Sequence, residues 1–217
     1  LAEGRRAAVL IAAGMSVGSY RLPAILTAIA GDHPDLKLSL DVVGPDGVID
    51  SVVSGRSDFG VLIADEIARD HRVRYEQVGH EELIIVGAPG LIGTTALTVE
   101  ALAEMTFVST PVAHMRRTVE ERHLHHLGIV DRKVIIELGH PEAMKTALVQ
   151  RLGVALMFRC AASEELRSGA LVEYPLDGVA MSEPVHFVTR QHDTATEFEK
   201  RIYDEVAAGF GRPRPSR

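Results

Sequence analysis

The residues best placed for chemistry sit in Gly14-Met15-Ser16-Val17-Gly18, which fits the G-x-S-x-G spacing of a nucleophilic serine raised on a strand-to-helix turn. Acyl transfer there would need a base, and His186 and His192 are the late histidines able to supply it. Against that reading, too few residues precede Ser16 for the strands that complete an oxyanion hole in such enzymes. Serine hydrolysis is carried as the alternative, and the chain is read as not an enzyme.

The same turn has a non-reactive use. Residues 14–19, Ser109-Thr110-Pro111 and Gly139-His140-Pro141 each set a helix start just after a strand. Backbone N–H groups at helix N-termini carry partial positive charge, so three such starts at sheet edges suit a carboxylate or another small anion. Ser19, Thr110 and His140 could each do no more than cap its own helix. Three turns together favour a common ligand cleft over three separate caps.

Other polar residues are read more plainly. Arg116 and Arg117 open a long helix, where positive charge opposes the helix dipole. Arg117 is read as solvated, and Arg116 is left open between solvent and an anion. His123 and His126 share a helix face with Met115 and Val119, but no acid or cysteine stands nearby at a zinc-site spacing. That face is read as solvated or as an interface, with no metal and no cofactor expected. Cys160 follows an apolar strand and reads as buried rather than catalytic.

The apolar pattern around these residues alternates between strand and helix. VLIAAG leads into the first turn, and Leu22, Ile25, Leu26 and Ile29 recur at helical spacing, with Pro23 near the first turn and Gly31 and Pro34 as stops. Ala24 and Ala28 leave a small-residue face that another helix could approach. Leu36, Leu38, Leu40 and Val42 alternate as a strand, Asp46 caps a short helix ending at Gly55, and 59–63 is an apolar strand covered on both faces. Further strands are expected at 81–89, 106–109, 133–139, 154–158, 171–176 and 184–190. Helices are expected at 99–104, 111–128, 141–153, 160–169 and 194–210, with a loop at 91–98 and a fraying tail at 212–217. Two such runs predict an α/β protein of two small lobes.

Composition narrows the function. With 46% apolar and 24% charged residues among 217, the chain can bury a core and reads as a soluble globular protein. A net charge of −7 disfavours direct contact with nucleic acid, which needs clustered Lys and Arg. The single Cys160 excludes an internal disulfide framework and fits a reducing cytoplasm. No apolar run approaches the roughly 20 residues of a membrane span. A start at Leu1 rather than methionine reads as a piece of a longer protein.

The order of several short motifs resembles the effector-binding domain of LysR-type transcriptional regulators. These are the opening strand and Ser-bearing turn followed by Tyr20-Arg21-Leu22-Pro23 and His33-Pro34-Asp35; then Gly55-Arg56-Ser57-Asp58-Phe59-Gly60-Val61; then Glu137-Leu138-Gly139, Glu142-Ala143-Met144-Lys145 and Gly153-Val154-Ala155-Leu156. The resemblance covers nearly the whole chain. It implies two Rossmann-like lobes joined by two crossover strands, as in periplasmic binding proteins, with 1–80 plus 183–217 in one lobe and 81–182 in the other. It implies a small-molecule effector in the interlobe cleft and a cytoplasmic homo-oligomer, a dimer of this domain and a tetramer at full length. DNA would be bound only through a winged helix-turn-helix that this chain lacks.

Carried over position by position, the resemblance implies effector contacts at Ser16, Val17, Thr110, His114, His140, Met157 and Phe158. It implies a dimer interface of helix 20–30 on one copy, with Tyr20, Ala24 and Ala28, against helix 115–127 of the other, with Val119, His123 and His126. Two departures stand out: Pro111-Val112-Ala113-His114-Met115 replaces a loop often rich in Gly, Ser and Thr, and Phe158 stands where proline is common. Both favour a small organic acid with an apolar portion over a bare inorganic anion. A free-standing solute-binding protein would share the fold but should carry an export signal, and none is seen.

Overall fold

The computed structural model describes residues 8–63, 70–93, 97–192 and 195–211. The tail at 212–217, together with parts of the expected loop at 91–98 and helix at 194–210, lies outside the described residues. The chain divides into two compact units, 1–81 with 183–217, and 82–182.

Strand β1 (Ala8–Ala13) leads through a π-helical turn (Val17–Arg21) into α1 (Leu22–Asp32), followed by β2 (Lys37–Val42), α2 (Pro45–Val53) and β3 (Phe59–Ile63). Strand β4 (Val73–Gly87) runs from the first unit into the second. There it is followed by α3 (Val99–Ala103), β5 (Thr106–Ser109), α4 (Met115–His126), β6 (Lys133–Glu137) and α5 (Pro141–Val149). Then come β7 (Val154–Phe158), α6 (Arg159–Ser168) and β8 (Val172–Glu173), before β9 (Met181–Arg190) returns to the first unit and α7 (Glu197–Ala208) ends it.

In the first unit β1 pairs parallel with β2 and β3, and β3 pairs antiparallel with β9. Successive strand residues face opposite sides, and the core divides accordingly. Val9, Ile11, Ala13, Phe59 and Val61 pack with residues of α1 and α7, while Ala12 and Leu62 pack with Val48, Ile49 and Val52 of α2. Gly60 has no room for a side chain: a Cβ there would overlap the Val48 side chain, so α2 can lie directly on β3.

In the second unit β5 pairs parallel with both β6 and β7, and β4 pairs antiparallel with β7 and β8. The parallel strands β6, β5 and β7 therefore end at one edge, and each is followed by a helix: α5, α4 and α6. Every residue of β7 is buried. Gly153 opens that strand at φ +154°, where a Cβ would overlap the Thr106 carbonyl, so glycine lets β7 start beside β5.

Several expected boundaries move. Helix 111–128 begins only at Met115, because Pro111 and Val112 belong to a turn closed by a His114 N–H bond to the Pro111 carbonyl oxygen at 2.9 Å. Asp46 lies in the first turn of α2 rather than capping it; Gly44 is the N-cap. Gly31 stays within α1, which ends at His33. Strand β4 starts eight residues before 81, and of the expected strand 171–176 only Val172–Glu173 forms a strand, with Leu176 making an isolated bridge to Leu97.

Candidate functional site

The turn after β1 is built by close approach. The Gly14 N–H bonds the Val61 carbonyl oxygen at 3.0 Å, and the Gly18 N–H returns to the Gly14 oxygen at 2.8 Å. A Cβ on Gly18 would stand 2.9 Å from Val42 Cγ2, so the helix can begin against β2 only with glycine there. Val17 is 1% exposed and packs in the unit's core, leaving its backbone as the part that could meet a ligand. Ser16 is 9% exposed, with ordinary right-handed helical torsions of φ −68° and ψ −50°. A nucleophile elbow holds its serine in a strained, projecting conformation. Ser16 does not have one.

In the second unit, Thr110, His114, His140, Met157 and Phe158 all fall at the carboxyl edge shared by β5, β6 and β7. His114, His140 and Phe158 are the N-caps of α4, α5 and α6. The His140 Nδ1 accepts the Glu142 N–H at 3.2 Å, so in the neutral ring the proton sits on Nε2, a donor on an exposed side chain. The His114 ring lies over Gly139, where a Cβ would come 3.0 Å from its Cε1. Met157 and Phe158 are buried at 0% and 3% exposed.

Behind that edge lies a charged cluster whose centre went unseen in the sequence. Glu120, 2% exposed, accepts hydrogen bonds from the Ser109 hydroxyl, from the Thr110 hydroxyl at 2.9 Å and from Arg132 at 3.3 Å, and Arg116 Nε lies 3.8 Å from it. Arg117 is not solvated, contrary to expectation. Its guanidinium, in a side chain 12% exposed, donates to Glu121 at 2.7 Å, to Glu137 at 2.9 Å and to the Thr110 carbonyl oxygen at 3.0 Å. Burial alone would push Arg117 down, but the Glu121 and Glu137 carboxylates hold it above its ordinary value. Arg132 goes the other way, because burial outweighs the attraction of Glu120. Three guanidiniums face three carboxylates, so the cluster is close to neutral and fixes the loop that carries Thr110.

Arg116, left open from sequence, donates to the Leu156 carbonyl oxygen and lies 5.1 Å over the Phe158 ring. No group of three or more His, Cys, Asp or Glu among the described residues could hold a metal ion. Among those residues no helix is long and apolar enough to cross a membrane. On α1, Ala24 and Ala28 are exposed, and Tyr20 in the preceding π-helical turn is half-buried. On α4, His126 is exposed, His123 half-buried and Val119 turned inward at 7% exposed.

Comparison with known proteins bears on this arrangement. Over 200 residues the chain is 30% identical to a phosphonates import ATP-binding protein, PhnC, of Anaeromyxobacter dehalogenans (strain 2CP-C), matching 91% of this chain and 40% of that protein. It is 27% identical to the uncharacterized HTH-type transcriptional regulator YeiE of Escherichia coli (strain K12), over 76% of this chain and 56% of the regulator. The chain thus spans about half the length of these relatives. Two solved structures share its fold: the regulatory domain of Synechocystis PCC6803 CcmR in complex with 2-PG (18% identity, TM-score 0.79, 94% of this chain and 97% of that one) and the effector binding domain of QuiR in complex with shikimate (11%, 0.77, 94% and 97%). The LysR substrate binding domain family matches residues 2–210. With that match spanning both units and every site residue named above, the chain belongs to the LysR substrate-binding domain family, an effector-sensing regulatory domain and not an enzyme.

Proposed function

We propose that this domain senses a small organic acid and that the acid is held at the carboxyl edges of its strands. One observation carries the reading: β6, β5 and β7 of the second unit end side by side, and the helices that follow start at His140, His114 and Phe158. Helix N-termini grouped this way offer backbone N–H donors and partial positive charge to an anion. His140 Nε2 adds a side-chain donor, and Thr110 contacts the ligand from the end of β5. In the first unit, considered by itself, the turn after β1 offers Ser16 and the Val17 backbone as proposed effector contacts. Shikimate, a carboxylic acid, in the similarly folded QuiR domain supports the ligand class.

In a longer protein carrying a DNA-binding segment, an effector that prefers one arrangement of this domain would shift its population and thereby change DNA binding. Self-association is part of the same proposal. Exposed Ala24 and Ala28 on α1 admit close approach of a helix from a second copy, and α4 would meet them through His123 and His126, Val119 supporting that helix from within. This domain would pair as a dimer, and the full-length regulator would work as a cytoplasmic tetramer.

A thermal-shift screen of organic acids tests the reading, since a ligand at 100 times its Kd stabilises by about 2.7 kcal/mol. The best acid should lose its shift in Thr110→Val. An unchanged shift removes Thr110 from the site.

A further inference from the structure

We infer that Glu120 sets the polarity of the effector site, so that Thr110 accepts a hydrogen bond from the effector and the effector carries a hydroxyl beside its acid group. The inference deepens the proposed function and rests on Thr110 touching the ligand. A threonine hydroxyl has one proton and two lone pairs. At Thr110 the proton is committed: Oγ1 donates to Glu120 Oε1 at 2.9 Å. Glu120 is held as a carboxylate acceptor between Arg132 at 3.3 Å and Arg116 at 3.8 Å, and its other oxygen takes the Ser109 proton.

Neighbouring groups cannot reverse this. Ser109 Oγ donates to Glu120 and accepts from Arg132 at 2.9 Å and Arg117 at 3.3 Å, which uses its one proton and both lone pairs. The Thr110 carbonyl oxygen already accepts from Arg117 at 3.0 Å. What Thr110 has left is lone pairs, and a ligand carboxylate brought against them would meet acceptor with acceptor. A ligand hydroxyl would meet them as donor. The acid group belongs instead to the donors on the adjacent strand end, where His140 Nε2 carries the proton of the neutral ring. A hydroxy acid with its two functions spanning neighbouring strand ends satisfies both.

The test uses matched acids titrated calorimetrically into the full chain: glycolate against acetate, lactate against propionate, and shikimate against 1-cyclohexene-1-carboxylate. At least one hydroxy member should bind about tenfold or more tightly than its deoxy partner, the worth of one well-made hydrogen bond. Thr110→Ser should keep that preference and Thr110→Val should abolish it. Glu120→Gln, whose amide can donate to Thr110 and free its proton, should reduce or invert it; the Thr110 pair carries the test if that variant does not fold. Equal affinity within every pair, tighter binding of the deoxy acids, or no binding by any hydroxy acid would overturn the inference. An acid whose affinity depends on Thr110 but not on a hydroxyl would sink this inference and leave the proposed site standing. Binding indifferent to Thr110→Val would overturn this inference as well and remove Thr110 from the site.

Discussion

The Arg116 guanidinium lies 5.1 Å over the Phe158 ring and donates to the carbonyl oxygen of Leu156, so the first turn of α4 is fastened to the end of β7. A proline at 158 would offer no aromatic face to this cation. The contact therefore accounts for one of the two departures read from the sequence, with Phe158 serving Arg116 from a buried position. Arg116→Ala should cost about 1–3 kcal/mol in chemical denaturation, from the lost stacking and the unpaired carbonyl. A loss below about 0.5 kcal/mol would mean the guanidinium holds nothing.

Glu120 sets a larger effect. Removing one partner of a buried charge pair leaves the others uncompensated, at about 3–5 kcal/mol. Glu120→Ala should show that loss in urea unfolding, because Arg132, Ser109 and Thr110 all lose their acceptor. Glu205, paired with His33 at 3.0 Å but 18% exposed, should cost about 1 kcal/mol or less when made alanine. Equal losses for the two would contradict the burial argument.

Asp70 supplies a pH test. Its carboxylate takes hydrogen bonds from the Arg72 guanidinium and backbone N–H, which lower its pKa from 3.8 to about 2. A depressed carboxylate adds stability above its unfolded pKa and loses it as pH falls through the folded one. The small contribution of this surface pair should therefore be complete above about pH 4 and fade between pH 4 and about 2. An NMR titration should give Asp70 a pKa near 2 in the wild type and a value back towards 3.8 in Arg72→Ala.

Gly60→Ala should destabilise by about 1–3 kcal/mol, since its Cβ would overlap Val48. Val48→Ala costs stability alone but should be less harmful when combined with Gly60→Ala, a non-additivity expected of residues in contact. Simple addition of the two losses would show that α2 is not seated on β3 by that glycine.

Much of this was legible because local chemistry and tertiary use agree. Pro141 after His140, and Gly14 and Gly18 around Ser16, announce strand-to-helix turns from residue type alone, and the turns are there. The first half of β4 was hidden because its alternation slips. Val73, Val78 and Glu81 are buried, so the period of two breaks between them, and Arg74, Gln77 and His80 face outward. Glu120 was hidden for another reason. It sits in the polar run Arg116-Arg117-Thr118-Val119-Glu120-Glu121-Arg122, where no apolar stripe marks the inner face except Val119 and, further on, Leu124. A buried carboxylate reads like a solvated one until the hydroxyls and guanidiniums around it are seen together. Arg132, alone before β6, was the nearest hint of a partner.

The most direct measurement for the account as a whole is an amide chemical-shift map of the isotope-labelled chain titrated with its best-binding organic acid. Saturable shifts should gather at residues 14–18, 110–114 and 139–140, and leave α7 unmoved. A tight acid whose shifts avoid all three turns would contradict the account.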